Sequence, residues 1–202
     1  MDKKLTLVYI HGATATSVSF SYIRTHLTHD EILLDYDCTN GFYRNLDQMI
    51  AQLSSVDNLF FIGHSLGGIY ALHLADHFKD KTLGGVTLST PYGGSNEAAY
   101  LKLLFPFSRL LREVSPCARP ISDLQKMEVP KSWTNVVTKK DNGLWRTEPN
   151  DGIVTQASMR YRPDMELIDL DVNHYEIVVC PDVINIINDR IKKASIGNNG
   201  CP

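Results

Sequence analysis

A serine flanked by glycines is the feature of this 202-residue sequence that most directly suggests chemistry. Residues 63–68, Gly-His-Ser-Leu-Gly-Gly, follow a short apolar run and precede a helical pattern. A serine on a sharp strand-to-helix turn is strained, exposes its hydroxyl, and brings the two elements so close that side chains two positions away would collide. Gly63 and Gly67 occupy those positions, so Ser65 is predicted to be a nucleophile. The alternative is a glycine-rich turn that only packs a helix close to a strand.

A serine nucleophile also needs preorganised donors for the oxyanion that forms when it attacks a carbonyl. One predicted donor is the backbone amide of Leu66, the residue after the nucleophile. The other is expected from the loop after an adjacent strand, where His11 and Gly12 end the first apolar run. We predict the amide of Ala13 for this role, with Thr14 as the alternative. Gly12 lets the backbone approach, and His11 is predicted to fix the loop rather than to carry a proton.

The general base is expected to be a histidine in a loop beyond the last strand. The seven histidines of the chain are His11, His26, His29, His64, His73, His77 and His174. Only His174 falls after the last predicted strand and before the final helix. His64 lies inside the turn, where it is predicted to support the turn and to point away from Ser65. His73 and His77, one helical turn apart, suggest a metal site, but no carboxylate pattern matches them, so we interpret them as packed or solvated.

The acid that orients such a base belongs in a loop after the penultimate strand. Asp151 is our prediction, because it is followed by Gly152 and two apolar residues that can anchor the loop in the core. Asp141, at the end of the strand, is the alternative. Asp169 and Asp171 lie too close to the predicted base in sequence to align with it easily.

Apolar runs of strand character alternate with helical patterns along the chain, which is typical of a parallel sheet covered by helices. The predicted strands are 5–10, 31–36, 59–62, 86–89, 135–138 and 166–170. The predicted helices are 17–27, 45–53, 66–78 and 183–193, the last capped by Asp182. We therefore predict one three-layer α/β domain over residues 1–194, with a mainly parallel sheet of about six strands and a disordered tail at 195–202.

Residues 96–131 break this alternation. Within them, 101–111 is apolar, is interrupted by Pro106 and is flanked by basic residues. A pair of helices laid over the serine would form a groove for an acyl chain and could contact a lipid surface transiently. The alternative is a helix buried against the domain. A hydrophobic acyl group is therefore a hypothesis.

Together these pieces resemble the α/β-hydrolases of the lipase and esterase type, close to minimal bacterial lipases and to lipases like the GPI inositol-deacylases. The chain order Ser65, Asp151, His174 is the order found in that superfamily. The resemblance implies an ester hydrolase that needs no cofactor and no metal, with the Ala13 and Leu66 amides as oxyanion donors. It also implies a minimal fold without the usual leading hairpin. The segments that carry it are 9–12, 63–68, 90–95, 150–154 and 173–174.

Charge and hydropathy narrow the function classes. The formal net charge is −3 and no basic run dominates, which argues against nucleic acid as a partner. The apolar run near the N-terminus resembles a signal peptide but is only six residues long, so we interpret it as the first core strand and predict a cytoplasmic protein.

The predicted function is cleavage of carboxylic esters through an acyl-enzyme intermediate. A thioesterase, amidase or peptidase with the same triad is the first alternative. A non-catalytic binding protein on this fold is the second.

Overall fold

A single parallel sheet forms the centre of the computed structural model, which describes residues 4–94, 115–140 and 148–197. Within these ranges the sheet has six strands in the order β2-β1-β3-β4-β5-β6, and every neighbouring pair is parallel. The strands are β1 Thr6–Ile10, β2 Asp30–Leu34, β3 Leu59–His64, β4 Thr82–Leu88, β5 Trp133–Thr138 and β6 Glu166–Leu170.

Helices cover both faces of this sheet. The helices described are α1 Ser21–Thr25, α2 Phe42–Leu53, α3 Leu66–His77, α4 Arg119–Leu124, α5 Gln156–Met159 and α6 Pro181–Gly197, with 3₁₀ turns at Ser17–Phe20 and Glu176–Val179. None of the described helices combines the length and apolar character that crossing a membrane would require.

The central strand β3 shows why the sheet is buried on both sides. All six of its residues are buried. Phe61 packs into a core with α2, α3 and α4, whereas Phe60 and Ile62 pack into a second core with α1 and α6. Each fully buried side chain of this size contributes about 1.5–3 kcal/mol through the hydrophobic effect. The predicted three-layer architecture is confirmed, and its parallel sheet brings every strand's carboxyl end to one edge.

The predicted strands are all present, with shifts at their ends. The largest is in β4, which starts at Thr82 rather than at residue 86. Its early part contains two glycines, which normally weaken a strand. At Gly85, a Cβ would lie 2.7 Å from the Trp133 ring, so the glycine makes room for that side chain. Because these glycines interrupt the apolar pattern, the prediction missed the first half of the strand.

All four predicted helices differ from the structure in at least one bound. The helix α2 begins at Phe42 rather than at residue 45, and α3 ends at His77 rather than at residue 78. The largest differences are in the first and the last predicted helix. The one expected over 17–27 is a 3₁₀ turn followed by the short α1. The hydroxyls of Ser19 and Ser21 each donate to a carbonyl three residues earlier, an arrangement that competes with regular helical bonds.

At the chain's end, α6 runs to Gly197, so the tail predicted from residue 195 begins inside a helix, and 198–202 lie outside the described residues. Asp182 is not its cap. It lies in the first helical turn, because the helix begins at Pro181, a residue favoured at that position.

The predicted insertion over 96–131 is described only from residue 115, and its apolar stretch at 101–111 lies outside the described residues. The described part contains α4, whose Pro120, Ile121 and Leu124 are buried. The guanidinium of Arg162 donates to the carbonyls of Leu124 at 2.6 Å and Met127 at 2.8 Å. The end of this segment is therefore fastened to the body of the domain.

Candidate active site

Ser65 occupies a strained turn between β3 and α3. Its φ and ψ are 53° and −121°, a conformation that residues with a side chain rarely adopt. Its N–H donates to the carbonyl of Leu88 at the end of β4, at 2.8 Å. Ser65 is partly exposed, whereas its neighbours His64 and Leu66 are buried. The turn thus presents the serine at the carboxyl edge of the sheet.

The glycines around this serine allow the close approach that the turn needs. A Cβ at Gly63 would lie 2.7 Å from the backbone nitrogen of Gly68, at the start of α3. A Cβ at Gly67 would clash with the carbonyl oxygens of Ile10 and His11 at the end of β1. In both cases the obstacle is backbone, which cannot rotate away. The steric reason predicted for these two glycines holds in the structure.

Asp151 is fully buried and is surrounded by hydrogen-bond donors. Its Oδ2 accepts from Nδ1 of His174 at 2.8 Å and from the hydroxyl of Thr138, and its Oδ1 accepts from the amides of Ile153 at 3.0 Å and Val154 at 2.8 Å. Burial acts to raise the pKa of Asp151, but the hydrogen bond and charge of His174, with the other donors, outweigh it and lower the pKa. The carboxylate is therefore ionised in the folded protein.

Two other acids considered from the sequence, Asp169 and Asp141, are not found in this cluster of described residues. Asp169 faces Arg160 and lies 3.7 Å from Lys139 on the surface. Asp141 lies outside the described residues. The contact of Thr138 with Asp151 was not predicted, although its position at the carboxyl end of β5 is a signal that could have suggested it. Ser89, which follows β4, extends this contact, since its hydroxyl lies 2.9 Å from that of Thr138.

His174 is held through three of its polar atoms. Its N–H donates to the carbonyl of Asp151 at 3.1 Å, its Nδ1 bonds the carboxylate, and its carbonyl accepts from Nε2 of His64 at 2.9 Å. Within the described residues Nε2 is the polar atom of His174 without a hydrogen bond, and none joins it to the Ser65 hydroxyl. Catalytic hydrogen bonds are often long before substrate binds. The structure thus brings the predicted acid and base together and leaves one base nitrogen open.

His64 lies deeper in the site than predicted. The sequence placed it as a support of the turn, whereas its ring also reaches the loop that carries His174, with the two ring centroids 4.9 Å apart. Burial, followed by the neighbouring His174, lowers the pKa of His64 to about 3. The ring is therefore neutral and donates from Nε2. Its Nδ1 is buried with no hydrogen-bond partner in the described part of the chain.

The loop after β1 lies against the serine. A Cβ at Gly12 would lie 3.3 Å from Cβ of Ser65. The amide of Thr14, the alternative oxyanion donor, donates to Sγ of Cys38 at 3.3 Å. Neither the Ala13 amide nor the Leu66 amide has a hydrogen-bond acceptor among the described residues, and Leu66 opens α3, where no intrahelical acceptor exists. These two amides remain available to an incoming negative charge.

The segment after β2 holds this loop in place. The Tyr36 hydroxyl donates to the carbonyl of His11 at 3.0 Å, and the two rings stack with centroids 4.2 Å apart. His11 Nδ1 in turn donates to the carbonyl of Gly12 at 2.8 Å. Burial lowers the pKa of His11, although the Gly12 bond and the nearby Asp35 act to raise it. His11 is thus bonded within this loop and stacked on Tyr36, a contact that the sequence did not predict.

The paired histidines of α3 are packed and solvated, respectively. His73 is buried, and its Nε2 donates to the carbonyl of Pro120 at 3.0 Å while its ring packs on Phe42. His77 is exposed.

No protein-family model matches the chain, and no curated protein matches it in sequence. Solved structures with the same fold do. An α/β superfamily hydrolase from Oenococcus oeni is 15% identical with a TM-score of 0.66, over 96% of this chain and 94% of that one. The mature lipase of Bacillus licheniformis is 16% identical with a TM-score of 0.69, over 92% and 91%. Tomato methylketone synthase I, complexed with 2-tridecanone, is 13% identical with a TM-score of 0.61, over 95% and 99%. The chain therefore has the α/β-hydrolase fold, as the sequence predicted.

Proposed function

We propose that this protein is a serine hydrolase that cleaves carboxylic esters, with Ser65 as nucleophile, His174 as base and Asp151 as acid. The observation that carries the proposal is the buried 2.8 Å hydrogen bond between Asp151 and His174, whose own carbonyl is bonded by His64, the chain neighbour of a serine in a strained turn. A carboxylate that only stabilised the core would not need an imidazole with one open nitrogen. This arrangement is the one that nucleophilic acyl transfer requires.

We assign each group one step of the reaction. The bond from Nδ1 to Asp151 fixes the tautomer of His174, so that Nε2 is the basic nitrogen and takes the proton of the Ser65 hydroxyl. The serine oxygen then attacks the ester carbonyl carbon, and the carbonyl oxygen becomes an oxyanion that the amides of Ala13 and Leu66 can receive. Protonated His174 returns the proton to the departing alcohol oxygen.

The second half of the reaction reverses the roles. Water loses a proton to His174 as it attacks the acyl-Ser65 ester, and the acid product leaves when the proton returns to the serine oxygen. Asp151 stays ionised throughout, because its pKa is lowered, and stabilises the imidazolium that forms twice in each cycle. Apart from the ester and the water, each step uses a group of the chain.

The fold supports this proposal without deciding it. Solved neighbours include a carboxyl esterase of metagenomic origin and a lipase, but also a methylketone synthase. One fold hosts several chemistries, so the function must rest on the site.

Covalent labelling of the serine tests the proposal. A fluorophosphonate probe is expected to label the wild-type protein at Ser65 and to leave Ser65→Ala unlabelled, while p-nitrophenyl butyrate is hydrolysed only by the wild type. Ser54→Ala is the matched control, because Ser54 is an exposed serine remote from the turn. Absence of both labelling and ester hydrolysis in the folded wild type would contradict the proposal. Thioester and amide substrates in the same assay establish which acyl derivative is preferred.

The length of the acyl group is tested with p-nitrophenyl esters from acetate to palmitate. The apolar character of residues 101–111 leads us to propose a preference for the longer chains. A strong preference for acetate would contradict this part of the proposal and leave the mechanism untouched.

A further inference from the structure

His64 contacts three separate parts of the candidate site. It directly precedes Ser65 at the end of β3, and its Nε2 donates to the carbonyl of His174 at 2.9 Å. On its other side, a Cβ at Gly12 would lie 3.0 Å from its Nδ1, so the ring also faces the loop that carries the Ala13 amide. One buried side chain thus lies between the nucleophile, the base and the oxyanion donors.

We propose that His64 is a positioning residue, which sets the distance and angle of His174 relative to Ser65. This inference rests on the proposed function and adds a role that none of the three reacting residues has. The two hydrogen bonds that His174 donates to Asp151 hold it only to the acid loop. In the described residues no hydrogen bond other than the one from His64 joins residues 63–66 to residues 172–176. The nucleophile and the base are therefore kept in register through this bond.

The hydrogen bond from His64 to His174 is buried, which makes its loss costly. His64 and His174 are exposed by only 6% and 3%, so water has little access to either group. A buried carbonyl that loses its donor is costly, and the loop would move to find another partner. A displacement of about 1 Å between reacting groups can lower a rate by about 10²-fold. A donor at this position therefore affects turnover without touching the substrate.

The matched variants His64→Gln and His64→Asn separate positioning from packing. Both replace the imidazole with an amide, but the longer Gln can place its NH₂ near the position of Nε2, whereas Asn is one methylene shorter. We expect kcat on p-nitrophenyl butyrate to fall about 10- to 100-fold in the Asn variant, with KM little changed. The Gln variant should recover most of this loss at a similar melting temperature. If His64→Asn fails to fold, His64→Met takes its place, because Met is of similar length to Gln but has no donor.

A double-mutant cycle with His174→Ala provides the decisive comparison. If His64 acts through His174, adding His64→Asn to the His174→Ala variant should not lower the residual turnover further. An equal fold loss in both backgrounds, or equal activity of the Gln and Asn variants, would overturn the inference. Failure of the proposed function itself has a different signature: either the folded wild type does not hydrolyse the ester, or Ser65→Ala and His174→Ala keep its full turnover.

Discussion

The two halves of the candidate site differ in how completely their polar groups are paired. Around Asp151, each carboxylate oxygen accepts two hydrogen bonds, and His174 is held by its N–H, its carbonyl and Nδ1. Around Ser65, the backbone is strained, and the amides of Ala13 and Leu66 have no acceptor among the described residues. We call the acid–base half the saturated half, because both oxygens of its carboxylate are fully bonded and only Nε2 of His174 is open among the described residues, whereas the nucleophile half keeps two donors open.

This difference corresponds to two physical tasks. A buried carboxylate is stable only if its charge is fully bonded, and the same bonds fix the direction of the imidazole that it orients. An oxyanion, in contrast, exists only during the reaction, so the donors that receive it must stay unpaired at rest. We infer that the acid–base half contributes to folding stability, whereas the nucleophile half stores strain and open donors for catalysis.

Removing the nucleophile should have the largest effect. Ser65→Ala is expected to lower kcat for ester hydrolysis by about 10⁶-fold, because no other hydroxyl can take its place in the turn. Folding should be little affected, since the Ser65 hydroxyl makes no hydrogen bond in the described part of the chain. Turnover and thermal unfolding of Ser65→Ala measure the two effects, with Ser54→Ala as the control. Turnover within tenfold of the wild type would show that the strained turn has no part in the chemistry.

Changing the acid should be the next most severe. Asp151→Asn keeps the shape of the side chain but presents the wrong group to Nδ1, which favours the wrong tautomer of His174 and lowers kcat by about 10⁴-fold. It should also reduce stability, unlike Ser65→Ala, because it disrupts the saturated half. Asp169→Asn is the control, since that carboxylate is partly exposed and pairs with Arg160. If both variants lose activity equally, Asp151 is not the acid.

The sequence predicts the local parts of this structure well, because local patterns determine them. The wholly apolar β3 and the glycines at 63 and 67 follow from steric and burial rules that act over a few residues. Ser65, Asp151 and His174 each follow a strand of the parallel sheet, and this pattern predicts that all three lie near its carboxyl edge.

Contacts between distant segments were the part that sequence reasoning missed. The stack of Tyr36 on His11 depends on how the segments after β1 and β2 run beyond the sheet, and no local pattern encodes it. The same is true of the hydrogen bond from Thr138 to Asp151 and of the one from His64 to the carbonyl of His174. The bounds of the short α4 were not predicted for a related reason. Its end is held by Arg162, which lies 38 residues from Leu124 in the sequence.

The loop after β1, which carries the Ala13 amide, is supported by Tyr36, and this support can be weakened without changing the loop itself. Tyr36→Phe removes the donor to the His11 carbonyl and leaves the ring stack in place. Losing one such bond costs about 0.5–1.5 kcal/mol, so we expect kcat to fall by about tenfold or less. Tyr22→Phe, in a tyrosine outside the site, is the control for both kcat and melting temperature. A loss of stability with unchanged kcat would mean that Tyr36 supports the fold and not the loop.

The smallest expected effect concerns the saturated half and appears in its pH dependence. Because the pKa of Asp151 is lowered in the folded protein, its contribution to stability is present above the unfolded value, about 3.9, and is lost as pH falls through the folded pKa. Thr138→Val removes one donor to this carboxylate and should raise its folded pKa. The free energy of unfolding should then be lower than in the wild type by about 1 kcal/mol at pH 7, and the difference should shrink towards pH 2.

Urea unfolding of Thr138→Val and wild type between pH 2 and pH 7 measures this difference directly. Thr82→Val is the matched control, because the Thr82 hydroxyl donates to the carbonyl of Phe78 at 2.9 Å and has no carboxylate partner among the described residues. The free energy of unfolding of Thr82→Val should be lower than that of the wild type by the same amount at every pH. If the difference between Thr138→Val and the wild type is also the same at every pH, the Thr138 hydroxyl stabilises the fold without acting on the charge of Asp151. Since the bond from His174 remains, kcat near neutral pH should change little in Thr138→Val, which separates the stabilising bonds of this half from the one that orients the base.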